Sequence, residues 1–216
     1  MARQKFRGST LLSPVPPAIV TCGTMEKGNA LTIAWTGIIN STPPKTYISV
    51  RPQRHSYEII KESGEFVIHL TTSALAKTAD YCGVYTGAKV DKFEKCGLTR
   101  IPSTEVACPT IAESPLALEC RVFDIIPLGT HDMFLADIVA VTADDALLDE
   151  SGKLRLDKAD LCAYAHGEYF ALGKKLGAFG FSAVKKKKKK PADPKKSAAP
   201  KPHTAQKSAK KKKPKV

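Results

Sequence analysis

The chain has 216 residues and a formal net charge of +13, a total that points to an anionic partner when taken whole. The charge is not spread evenly: residues 185–216 hold 15 lysines and one aspartate, whereas residues 1–184 hold 19 basic and 20 acidic residues, a net of −1. The body is nearly neutral, so the basic total gives no ground for reading it as a nucleic-acid-binding fold.

A body of this length fits one domain able to bury its own core. The segment 14–17 is Pro-rich and extended, and 18–22 reads as a first strand. Residues 31–39 alternate, with Leu31, Ile33, Trp35 and Gly37 on one face and Thr32, Ala34 and Thr36 on the other, which predicts a strand with Trp35 turned into the core. Asn40 to Pro44 has turn chemistry, and 46–51 is the next strand. Residues 56–63 predict a short helix stopped by Gly64, followed by a strand over 65–70. Helices are expected at 74–82 and 91–96, with a loop at 83–87 between them. Two long strands, 116–126 and 133–141, meet through Leu128, Gly129 and Thr130, and their length favours a closed or strongly curled antiparallel sheet. Residues 144–160 are charged and read as surface loop, and 162–181, rich in Gly, Tyr and Phe, closes the domain. The tail, 185–216, has too little apolar area to offset the entropy of ordering and is expected to be disordered. Its lysines could bind nucleic acid through phosphate charge or serve only to solubilise.

Several chemistries have no support in the sequence. Neither the P-loop nor the G-x-G-x-x-G cradle is present, and no G-x-S-x-G elbow appears. The six cysteines stand apart without a C-x-x-C pair, so buried free thiols are expected rather than zinc or disulfides. His55, His69, His131 and His166 are isolated. Apolar runs such as 135–141, broken by Asp137, are too short to span a bilayer, and no signal-peptide core is present. The expectation is a soluble, cytoplasmic protein.

Two local features carry chemistry. In I-S-V-R-P-Q-R-H-S-Y at 48–57, a strand delivers Arg51 to the entrance of a helix. The first amides of a helix lack intrahelical acceptors and lie at its positive end, so with a guanidinium beside them they form an anion site. Read from residues alone, a capped helix with solvated arginines is equally open. The second feature is the face of Thr32, Ala34 and Thr36, whose short side chains leave room for a flat ring, although threonine is also ordinary in sheets.

The motifs N-A-L-T-I-A-W-T-G at 29–37, S-T-P-P at 41–44, S-V-R-P-x-R-H-S at 49–56 and E-F-V-I-H-L at 65–70 carry a family likeness. T-A-D-Y-C-G at 78–83, K-V-D-K-F at 89–93, G-x-H-D-M-F-L-A-D-I-V at 129–139 and the Gly- and Phe-rich stretch 167–182 continue it. In this order they resemble the flavoredoxin branch of the flavin reductase-like family over residues 10–184. The resemblance implies a mainly β, Greek-key FMN-binding split β-barrel with short helices, in a single domain over 1–184, and a homodimer. It assigns Thr32, Ala34, Trp35 and Thr36 to the isoalloxazine and ribityl parts. Ser49, Val50, Arg51, His55 and Ser56 would hold the phosphate, with Asn29 and Lys89 as further candidates. The implied activity is an oxidoreductase passing electrons from NAD(P)H or a redox protein through FMN. The alternatives are an electron carrier without its own small-molecule substrate and a basic-tailed nucleic-acid-associated binding protein. The lysine tail is no part of the family pattern.

Overall fold

The computed structural model describes residues 1–183; the basic tail, and the expectations of disorder and nucleic-acid binding attached to it, lie outside the described residues. One compact unit runs from Met1 to Lys174. Of the second unit, which begins at Lys175, residues 175–183 are described and contain turns closed by Phe181 N donating to Ala178 O and Ala183 N donating to Gly180 O.

Strand β1 is Ala18–Cys22, β2 is Asn29–Ile33, β3 is Thr36–Ser41 and β4 is Pro44–Val50. Helix α1, His55–Ser63, leads to β5, Glu65–His69. Helices α2, Ala76–Val84, and α3, Lys92–Cys96, follow, then the short pair β6, Arg100–Ile101, and β7, Thr110–Ile111. The long strands are β8, Leu116–Pro127, and β9, Asp132–Ala143. The hairpin of β10, Cys162–Ala165, and β11, Glu168–Ala171, completes the unit.

Seven strands form one antiparallel sheet in the order β2-β1-β5-β8-β9-β4-β3. Strands β2 and β3 stand at its opposite ends, yet only Ala34 and Trp35 separate them in the chain. A two-residue link cannot cross an open seven-stranded sheet, so the sheet must curl until its ends meet. Ser49 N donates to Trp35 O at 3.0 Å, tying that seam to β4. Bulges in β8–β9 between Glu119 and Cys120 and between Val122 and Asp124 supply local bending.

Inside the curl lie Val20, Leu31, Ile33, Ile48, Val50, Phe66, Ile68 and Phe134, with Tyr57 and Ile60 of α1 packed among them. On the outer side of β1 and β2, Ile19 and Ala30 meet Leu75, Ala79 and Cys82 of α2 and Phe93 of α3. Five of the six cysteines are buried, and all six are free. Helix α1 stops at Gly64, whose φ of 69° is a conformation most side chains avoid, and whose N–H bonds Ile60 O.

Three expectations need correction. The single strand over 31–39 is broken at Ala34–Trp35, because the barrel seam falls there. The break ends the alternation that placed Trp35 in the core; its side chain is 40% exposed and lies against His131, ring centroids 4.6 Å apart. Helix α2 starts two residues later than expected and continues through Gly83 and Val84, which are not loop. The stretch 144–160 includes two 3-10 turns, Asp145–Leu147 and Leu156–Lys158.

His69 is fully buried on β5. Its Nε2 accepts from Ile111 N at 2.9 Å, which leaves Nδ1 to donate to Ile19 O at 3.1 Å. Burial pushes its pKa down to about 4 from the ordinary 6.5, so it is a neutral structural bridge between the barrel and β7.

Candidate functional site

The barrel seam and the entrance of α1 fall side by side. A hollow of about 150 Å³ is lined by Thr32, Ala34, Trp35, Ser49, Arg51 and His131, among others. A second, of about 80 Å³, is lined by Asn29, Arg54, His55, Ser56, Gly87 and Lys92, among others. Thr32 and Arg54 border both, so the two form one cleft. A third hollow, of about 250 Å³, shares Thr32 and Ala34 and is walled beyond them by Tyr164 and Tyr169. Each is smaller than the roughly 300 Å³ lower bound of ordinary ligand pockets, so a tricyclic ring must lie across the shared wall at Thr32 and Ala34.

Local sequence explains the polar end. Strand β4 ends at Val50, Arg54 N bonds Arg51 O at 2.9 Å, and α1 begins at His55. Arg54, the residue before the helix, gives it no side-chain cap, so the first amides are left for solvent or a ligand. Arg54 Nη1 donates to Gly83 O at 3.0 Å, which fixes its guanidinium across the cleft. Among the described residues neither Arg51 nor Arg54 forms an ion pair with a carboxylate. Two uncompensated guanidiniums at the positive end of a helix form an anion-attracting field. Burial, and then Arg51 and Arg54, hold the His131 pKa below its usual value, so the imidazole beside Trp35 is kept neutral.

Asn29 Nδ2 donates to Ser56 Oγ at 2.6 Å, linking β2 to the first turn of α1. A Cβ added to Gly87 would come within 2.1 Å of Asn29 Oδ1, so this position must be bare for Asn29 to keep its place. Gly87→Ala is expected to displace Asn29 from Ser56 and weaken ligand binding at this end about three- to tenfold. Isothermal titration of the variant measures it, and unchanged affinity would show that the Asn29–Ser56 link is not part of the site.

Of the residues expected from sequence, Thr32, Ala34, Trp35, Ser49, Val50 and Arg51 line the larger hollow, and Asn29, Thr32, His55 and Ser56 the smaller. Thr36 and Lys89 line neither. Thr36 Oγ1 donates to Tyr47 O, across the β3–β4 pair, and Lys89 is exposed. The hydroxyl of Thr32 is also taken, donating to Ala79 O. The threonine wall therefore offers little bulk rather than free hydroxyls. Sequence reasoning passed over Arg54, His131 and Lys92 as site residues. Arg54 was visible in the R-P-x-R-H-S run; nothing in the local pattern marked His131, which arrives from the β8–β9 turn.

A flavin reductase like domain model matches residues 11–173. The chain belongs to the flavin reductase-like family. The fold is similar to the flavoredoxin of Desulfovibrio vulgaris (Miyazaki F), with a TM-score of 0.78 and 31% identity over 85% of this chain and 100% of that one. It is also similar to the flavoredoxin of Methanosarcina acetivorans, with a TM-score of 0.76 and 27% identity over 85% and 100% of the two chains. An uncharacterized protein of Archaeoglobus fulgidus is 35% identical over 64% of this chain and 77% of its own. The mainly β split-barrel fold and the flavoredoxin branch expected from the motifs are thus shown. Among the described residues, no helix is long and apolar enough to cross a membrane.

Proposed function

We propose that the protein is an FMN-dependent oxidoreductase whose flavin lies across the barrel seam with its phosphate at the entrance of α1. The observation that carries this is the uncompensated pair Arg51 and Arg54 beside the low wall of Thr32 and Ala34. A dianionic phosphate would meet two guanidiniums and the open amides of His55 and Ser56, and a planar ring would meet a surface without bulk. The two flavoredoxins support FMN as the form of the flavin.

When bound, FMN supplies the electron-transfer chemistry, and the chain supplies binding and orientation. Arg51, Arg54 and Ser56 anchor the phosphate. Trp35, steadied against His131, closes the side of the ring site and excludes water. Neutral His131 adds no positive charge beside the ring. No side chain needs to act as nucleophile or general acid. The electron donor in this reading is NAD(P)H or a redox protein, and the working unit is a homodimer. Titrating FMN into the flavin-free protein should quench its fluorescence with saturation at one FMN per chain. No quenching at micromolar protein would defeat the reading.

A further inference from the structure

Lys92 stands behind the smaller hollow. It is 3% exposed, the first residue of α3, and its Nζ donates to Ala30 O at 2.7 Å and to Cys82 O at 2.8 Å. An ammonium has three N–H donors, so one is left after the two carbonyls. Both acceptors are neutral. Among the described residues Lys92 forms no ion pair with a carboxylate, and neighbouring Asp91 is committed to Arg100 and to capping α3. A buried charge normally has a partner of opposite sign, because desolvation is otherwise uncompensated. Here the nearest formal charge is Arg54, which opposes it; burial, with Arg54 adding to it, holds the Lys92 pKa below the usual lysine value.

A purely structural role explains only half of this. Strand β2 is at the edge of the sheet, so Ala30 O needs a donor from outside. Any neutral donor would satisfy that carbonyl without bringing a cation into a site that already holds a guanidinium. The hollow in front of Lys92 is lined as an oxyanion would require, by Asn29, Ser56, Arg54 and the open first turn of α1. Its volume of about 80 Å³ equals two to three waters at roughly 30 Å³ each, the size of a phosphoryl group rather than a ring.

We infer that Lys92 is the buried cation of an oxyanion seat, and that its charge is compensated by the phosphate monoester of the ligand entering past Arg54. This deepens the FMN reading by assigning the phosphate to the smaller hollow and a lysine that the exposed Lys89 does not replace. It rests on that reading only for the identity of the molecule carrying the phosphate.

The test compares Lys92→Gln and Lys92→Met with the wild-type full-length protein, titrating FMN and riboflavin into each. Both variants should lose about 10- to 100-fold in FMN affinity, and riboflavin should change by less than about threefold, because only FMN carries the charge that Lys92 meets. The ratio of the two affinities is an internal control for any loss of folded protein. An equal loss for both flavins, or none for FMN, would overturn the inference. If the wild type binds neither flavin, the FMN reading fails by itself. Inorganic phosphate then serves as the probe: it should raise the melting temperature of the wild type more than that of Lys92→Met, and an equal rise in both would refute the seat.

Discussion

Replacing Arg51 with alanine is expected to weaken FMN binding about 10- to 100-fold, with riboflavin binding changed far less, because a charge-assisted bond to phosphate contributes roughly 1.5–3 kcal/mol. Arg51 borders the larger hollow and has no carboxylate partner among the described residues, so its removal breaks no internal ion pair. The barrel should therefore fold as before, and the loss should appear in the dissociation rate rather than in stability. The charge also predicts a salt dependence. Raising ionic strength should weaken FMN binding to the wild type more than to Arg51→Ala, since partly exposed charges are screened over about 10 Å at 0.1 M salt. Isothermal titration at two salt concentrations checks both points. An equal loss for FMN and riboflavin would place the phosphate elsewhere.

The second large effect is on stability, and it turns on pH. His69 has its pKa lowered in the folded protein, from 6.5 to about 4, chiefly by burial. The unfolded chain takes up a proton as pH falls through 6.5, while the folded chain resists until about 4. The stabilising contribution is therefore present above pH 6.5 and is lost progressively down to about pH 4, a loss on the order of 3 kcal/mol. His69→Gln should be less stable than the wild type at pH 7 by about 2–4 kcal/mol, because buried groups lose their partners. Its stability should also fall less steeply between pH 6.5 and 4, so the two curves converge. Urea unfolding at a series of pH values measures the difference, and parallel curves would show that His69 does not set the acid limit.

Much of the frame could be read from sequence because it is local. The strand at 18–22 falls where its alternation and turns put it, and Gly64 ends α1 as a left-handed glycine should. The strand-to-helix passage at Arg51 likewise depended on residues adjacent in the chain. The errors came from closure. Alternation over 31–39 runs unbroken in the sequence, and only the meeting of the sheet's two ends shows why the chain must break at Ala34 and Trp35. The same closure turns Trp35 from core residue to wall of the cleft, and brings His131 to it from the far β8–β9 turn. Lys92 escaped notice for a similar reason. In K-V-D-K-F both lysines look like solvated helix-end charges, and only the packing of α3 on β2 buries the second and leaves the first outside.

The central claim is that this cleft holds a redox-active FMN, and an absorbance spectrum of the purified protein under argon, before and after NADPH or NADH, tests it most directly. The account predicts the two visible bands of oxidised flavin at about one FMN per chain, bleached by a reduced nicotinamide or, failing that, by dithionite. A colourless protein whose spectrum is unchanged after incubation with excess FMN and desalting would contradict it.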